Sequence, residues 1–108
     1  ILGNNKGLIE NIQKSSDNTG ELVWELPLWD EYCDQVKSNI SDVKNLGSPG
    51  QAGTIAGAAF LKAFVGKDIP WTHFDVAGTS WGVENRSYIQ KNGASGQVIR
   101  LILDLIGA

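Results

Sequence analysis

The chain has 108 residues, of which 42% are hydrophobic and 19% are charged, and its formal net charge is −3. This length suits one globular domain or part of a larger one, and the acidic balance disfavours a nucleic-acid surface, which needs clustered Lys and Arg. The longest apolar run is too short to cross a bilayer, and a lone cysteine, Cys33, excludes an intrachain disulfide and fits a reducing compartment.

The start of the chain carries no signal-peptide pattern, and the sequence contains no methionine. A natural reading frame begins with Met. We therefore expect the sequence to be a segment from inside a longer protein.

The first predicted element is a polar helix with one thin apolar stripe, formed by Leu8, Ile9 and Ile12. Gly20 suits the left-handed position that ends a helix, so we expect the helix to stop there and to lie on the surface. Residues 21–28 then favour an extended segment, because β-formers precede Pro27.

A second helix is predicted from Asp30, as its N-cap, to about Asn39. Four residues share one face of this helix by their spacing: Trp29, Cys33, Val36 and Ile40. Residues 41–46 are predicted to form a short strand, and residues 47–53 a glycine-rich loop.

The strongest helical pattern covers residues 52–65, where alanines and Gly57 give a slim surface suited to close packing. Pro70 follows, and residues 71–76 alternate as in a strand, with Trp71, His73 and Asp75 on one side. A small-residue turn at 77–80 should end this central strand beside a pocket, and residues 83–93 should form an exposed loop.

The last predicted helix follows Gly93-Ala94-Ser95-Gly96 and is apolar on nearly every side. Its polar stripe consists of Arg100 and Asp104, four residues apart and able to pair. Such a helix is normally buried on most sides. In this segment alone it would need another subunit or a missing part as cover, so we expect self-association or partial disorder. The alternation of helices and strands indicates an α/β fold with parallel strands.

Candidate chemistry is sparse. His73 and Asp75 could offer two metal ligands on one strand face, but a usable site needs three or four, so a structural histidine is favoured. The spacing of Gly47, Gly50 and Gly53 before a helix suggests either an anion site or close helix packing, and packing is favoured. The serines lack the G-x-S-x-G setting of a catalytic nucleophile.

Five ordered blocks carry a resemblance to a known family. They are W-x-L-P-L from Trp24, D-V-x-N-L-G from Asp42, A-G-x-I from Ala52, W-x-H-x-D-V-A-G-T from Trp71 and G-A-S-G from Gly93. Together they resemble the C-terminal part of the leucine aminopeptidase family, also called the cytosol aminopeptidase or M17-type family. The resemblance covers essentially the whole chain.

The resemblance implies an α/β fold, part of a three-layer αβα domain with a mostly parallel sheet. It implies that residues 1–108 are the C-terminal segment of a catalytic domain whose upstream part is absent. The parent would be a cytoplasmic homo-hexamer that removes N-terminal residues, preferably leucine, from peptides. Two divalent cations, manganese or zinc, would activate a bridging water. The family's N-T-D-A-E-G-R metal-binding run is not in this sequence.

By the same resemblance, the segment contributes pocket wall rather than catalytic residues or metal ligands. Ala77 and Ser80 match the family's specificity pocket, and Leu46 matches the wall beside the next substrate residue. The loop 47–50 departs from the family's basic run, so no anion role is carried over to it. The alternative is a non-enzymatic, DNA-binding role, as in some family members, which the acidic charge disfavours. No membrane partner is expected.

Overall fold

The computed structural model describes residues 1–47, 49–80 and 93–107. The chain divides into two compact units, one of Ile1–Ile9 and Trp24–Phe74 and the other of Glu10–Val23 and Asp75–Ala108. The elements are β1 (Leu2–Gly3), α1 (Lys6–Thr19), α2 (Asp30–Asp34), α3 (Gly53–Lys62), β2 (Thr72–His73), α4 (Ala77–Ser80) and α5 (Ile99–Ile106).

The strands of the first unit form one short antiparallel pair. Leu2 lies opposite His73, and Gly3 lies opposite Thr72. A Cβ atom on Gly3 would stand 2.8 Å from both Thr72 Oγ1 and the Trp71 carbonyl oxygen, so only glycine allows this approach. The pair therefore depends on a position without a side chain.

The core of the first unit lies between β1 and α3. Leu2, Ile55 and Ala58 are buried together, and Leu26, Leu28, Tyr32 and Trp71 pack partly buried against them. The small residues predicted on α3 face inward, since Ala56 and Ala59 are also buried. The slim helix surface thus allows close packing, as its composition predicted.

The second unit contains most of α1 together with α4 and α5. Ile12, Ser15 and Ser16 form the buried side of α1, and Leu101 is the one fully buried apolar residue of α5. Gly20 has φ +70°, and its N–H donates to the Ser16 carbonyl oxygen at 2.9 Å. The predicted glycine stop of α1 is confirmed.

The second helix is shorter than predicted, and Asp30 is not its cap. The N-cap position is Trp29, with no side-chain hydrogen bond, and α2 ends at Asp34. Beyond it the chain continues by i+3 hydrogen bonds, such as that from the Lys37 N–H to the Asp34 carbonyl oxygen at 3.2 Å. Ile40, assigned to the helix face, is instead 99% exposed.

The strand predicted at residues 41–46 is absent. Ser38 Oγ accepts from the Ile40 and Ser41 N–H groups, and Ser41 Oγ donates to the Val43 carbonyl oxygen at 2.9 Å. Such local side-chain bonds compete with strand pairing. Residues 21–28 also form no strand, although the Leu26 N–H donates to the Ile1 carbonyl oxygen.

The central strand is confirmed only over β2, and the predicted turn after it is the single-turn helix α4. The α/β class stands, while the parallel pairing is not confirmed, because the pair in the described residues is antiparallel. The loop predicted at 83–93 lies outside the described residues except for Gly93. Among the residues described, no helix is long and apolar enough to span a membrane.

The last helix is confirmed, but much of its apolar surface is exposed among the residues that the structure describes. Four of its residues are 45–68% exposed: Ile99, Ile102, Leu103 and Ile106. Its left-handed end at Gly107, with φ 75°, matches a glycine C-cap. The exposed surface is the one from which self-association was expected, and that expectation stays a prediction.

Candidate functional site

An open groove lies beside the predicted wall residue Leu46 in the first unit. Its volume is about 510 Å³, and it is lined by Ser41, Asp42, Val43, Lys44, Asn45, Phe60 and Phe64. The two phenylalanine rings meet edge to face with centroids 5.2 Å apart. This volume falls within the usual range for ligand pockets, and the lining combines aromatic surface with groups of both charges.

Leu46 follows the lining segment directly and is 75% exposed. An apolar side chain this open can contact an extended ligand. The segment before it is anchored, because the Lys44 N–H donates to the Val36 carbonyl oxygen at 2.9 Å and Val36 is buried. Leu46 therefore stands at the end of a fixed stretch of backbone.

Ala77 and Ser80 lie in α4, in the second unit. They are three positions apart and so share one side of a helical turn. Ala77 is exposed and Ser80 is half-buried. The turn is closed by the Thr79 N–H and hydroxyl, which both donate to the Val76 carbonyl oxygen. The structure thus brings these two predicted residues together, while Leu46 belongs to the other unit.

His73 has a structural partner. Its ring stacks on Trp71 with centroids 6.4 Å apart and planes inclined by 17°, so the alternation that placed both on one strand side is confirmed. Among residues 1–47, 49–80 and 93–107, no three His, Cys, Asp or Glu side chains are grouped to hold a metal ion. The described residues therefore do not fit a metal centre, and no catalytic step is assigned to them.

The glycine-rich loop serves packing at Gly47. A Cβ atom there would stand 2.9 Å from the Ala56 Cβ atom of α3. That distance is too short for any side chain without movement of the helix. Gly53 is the first residue of α3, after Ala52 in the left-handed region. The packing interpretation of this loop is supported at Gly47.

Sequence reasoning missed two polar side chains that join distant segments. Asn4 Nδ2 donates to the Ile69 carbonyl oxygen at 2.9 Å, and Asn4 Oδ1 accepts from the Trp71 N–H at 2.8 Å. Glu21, treated only as part of an extended stretch, is buried with its carboxylate at the start of α5. These partners lie 65–80 residues away, so no local pattern indicates them.

Comparison with known proteins defines the class as a peptidase catalytic domain. Residues 1–103 match the model described as "Cytosol aminopeptidase family, catalytic domain". Over 106 residues the chain is 48% identical to "Probable cytosol aminopeptidase" of Geobacter sp. (strain M21). Over 108 residues it is 45% identical to the protein of the same name from Geobacter sulfurreducens. These matches cover 98% and 100% of this chain and 21% of each relative.

The structural comparison agrees. A solved mutant of tomato leucine aminopeptidase superposes with a TM-score of 0.83 and 32% identity, over 97% of this chain and 19% of that one. The chain belongs to the cytosol aminopeptidase family. It spans about a fifth of the length of the curated relatives it matches.

Proposed function

We propose that this chain is the C-terminal segment of the catalytic domain of a metal-dependent aminopeptidase that removes N-terminal residues, preferably leucine, from peptides. The observation that carries the proposal is the match of residues 1–103 to the family's catalytic domain. The structural likeness to a leucine aminopeptidase supports the choice of leucine.

In this proposal the segment supplies substrate-pocket wall. Ala77 and Ser80 contact the side chain of the N-terminal substrate residue, and Leu46 contacts the next residue. Small side chains on α4 leave room for a large substrate side chain, and the exposure of Leu46 supports its contact with an extended peptide. Leu46→Trp should therefore raise KM with little change in kcat. Leu22→Trp, at a 68% exposed position, is the matched control.

The chemistry belongs to residues outside this segment. Two divalent cations, manganese or zinc, would activate a water and polarise the scissile carbonyl in the parent. We further propose that the parent domain has a mostly parallel sheet within three αβα layers. The parent would act in the cytoplasm, as its relatives' names suggest, and would assemble as a homo-hexamer.

The test compares the intact parent with the isolated segment. The parent should release leucine from leucyl-p-nitroanilide, lose this activity to a chelator and regain it with manganese or zinc. The 108-residue chain alone should release none under the same conditions. Metal-dependent release by the segment alone, or no release by the intact parent, would contradict the proposal.

A further inference from the structure

Glu21 is a buried carboxylate that the proposed chemistry does not use. Its side chain is 2% exposed, and burying a charged group is costly unless hydrogen bonds or a cation compensate. Both carboxylate oxygens are bonded: Oε1 accepts from the Val98 N–H at 3.1 Å, and Oε2 accepts from the Leu101 N–H at 2.9 Å. Arg100 Nη2 lies 3.6 Å from Oε1. Glu21 therefore occupies the N-terminal end of α5.

The start of α5 cannot cap itself. Val98, its N-cap residue, makes no side-chain cap hydrogen bond. Its φ of 73° is unusual for a β-branched residue, and such backbone persists only where its surroundings hold it. The first N–H groups of any helix need outside partners, and a negative group suits that end of the helix dipole. Glu21 meets both needs from a distant part of the sequence.

The backbone around Glu21 is itself fixed by the end of α1. Thr19 Oγ1 donates to the Ser15 carbonyl oxygen at 2.8 Å and accepts from the Glu21 N–H at 3.4 Å. Ser16 Oγ accepts from the Val23 N–H at 3.1 Å, and both serines are buried. These hydrogen bonds at the end of α1 thus hold the backbone on both sides of Glu21 in place.

Within this segment, few apolar residues of α5 are buried. Leu101 is the only residue of α5 that is fully buried, whereas Ile99, Ile102, Leu103 and Ile106 are substantially exposed. Within this segment, the hydrogen bonds to Glu21 add to the burial of Leu101 in setting the position of α5. Asn18 adds one exposed contact, its Nδ2 donating to Asp104 Oδ2 at 3.2 Å.

We propose that Glu21 is a positioning residue for substrate selection, an inference that rests on the proposed function. The helices α4 and α5 belong to the same compact unit, and α4 carries the wall residues Ala77 and Ser80. Packed units respond to a lost anchor by shifting their elements. In this proposal, the loss of the Glu21 bonds shifts α5 and, through the unit they share, α4, and small displacements of a wall change which side chains fit.

The test uses Glu21→Gln in the intact parent, with kinetics on leucyl- and alanyl-p-nitroanilide. Glutamine keeps the volume but loses the charge and replaces one acceptor with an NH₂ group that faces backbone N–H. The leucyl-to-alanyl ratio of kcat/KM should fall about fivefold through the leucyl KM, which is less than the roughly 10–200-fold that a whole methylene supports. Asp104→Asn, which removes a charge from the same helix and keeps an acceptor for Asn18, should leave the ratio unchanged.

Two readouts separate the possible failures. A wild-type parent without leucyl activity contradicts the proposed function itself. With an active wild type, an unchanged ratio in Glu21→Gln, or equal losses of kcat on both substrates, overturns the positioning role. Faster amide hydrogen exchange at Val98 and Leu101 in Glu21→Gln supports the anchor, and unchanged exchange overturns it. Should that variant not fold, Glu21→Asp, which keeps the charge but shortens the side chain, should lower the ratio by a smaller factor.

Discussion

The helices α3 and α5 start alike and are held differently. Each begins after a residue in the left-handed region, Ala52 or Val98, with no side-chain cap of its own. In the first unit, α3 buries one isoleucine and three alanines. In the second unit, α5 buries only Leu101 and receives the carboxylate of Glu21 at its N-terminal end.

The difference shows that apolar content does not decide how a helix is attached. The small residues of α3 let a neighbouring loop approach within packing distance, as at Gly47 and Ala56. Within this segment, the large residues of α5 remain exposed, and its contacts are one buried leucine and a polar anchor at its N-terminal end. Substitutions on the two helices should therefore act through different mechanisms.

The largest effect is expected at the one buried leucine of α5. Leu101 is 0% exposed, so Leu101→Ala should lower the free energy of unfolding by about 2–5 kcal/mol through lost burial and a cavity. Leu103→Ala is the matched control on the same helix, because Leu103 is 45% exposed. Its cost should be about 1 kcal/mol or less. Urea denaturation of both variants measures the difference, and equal costs would show that α5 is not attached on the Leu101 side.

A smaller effect tests the close approach to α3. Gly47→Ala places a Cβ atom 2.9 Å from the Ala56 Cβ atom and should cost about 1–3 kcal/mol by overpacking. Gly57→Ala, inside α3 with no atom within 4 Å of the new Cβ, should instead stabilise by about 0.5–1 kcal/mol. Thermal unfolding of the two variants measures the sign of each change in stability. The same sign of change in both would refute small-residue packing as the basis of the α3 contact.

The smallest effect is expected at a surface ion pair between the last residue of α2 and the turn that follows it. Lys37 Nζ lies 2.6 Å from Asp34 Oδ1, and the hydrogen bond to Asp34, with its charge, raises the pKa of Lys37 above the ordinary 10.5. Both side chains are largely exposed, so Lys37→Ala should leave the unfolding midpoint at pH 7 nearly unchanged.

The pH dependence of this pair has a definite sign. A raised lysine pKa stabilises the fold below the unfolded-state pKa, and that contribution is lost as the pH rises through the folded-state pKa. Any difference between Lys37→Ala and the wild type should therefore shrink above pH 10.5. A midpoint shift at pH 7 as large as that of Leu101→Ala would contradict this ranking.

Helices were predictable from the sequence because their signals are local. Glycine at the end of α1 and alanine periodicity in α3 lie within the elements they define, and both predictions are confirmed. The extent of α2 was overestimated, since Val36 keeps a buried position without a continuing α-helix. Periodicity of apolar residues does not distinguish an α-helix from successive i+3 turns.

Strands and long-range anchors were not predictable in the same way. A strand exists only with a partner strand. In residues 41–46, the backbone N–H of Ser41 and the carbonyl oxygen of Val43 instead bond to serine side chains nearby. Glu21 bonds to backbone 77 and 80 residues away, which no local spacing encodes. The wall residues Leu46, Ala77 and Ser80 were named from the family resemblance. The structure gives their elements and exposure, while their contact with substrate stays a prediction.

The central claim is that this segment forms the wall that selects the substrate side chain. Its most direct test is the leucyl-to-alanyl ratio of kcat/KM for Ala77→Leu in the intact parent, with Ala63→Leu at an exposed position outside the proposed wall as the matched control. Filling the wall should lower the ratio by about tenfold or more, with metal content unchanged, while the control keeps the wild-type ratio. An unchanged ratio in Ala77→Leu would contradict the claim that α4 lines the substrate pocket.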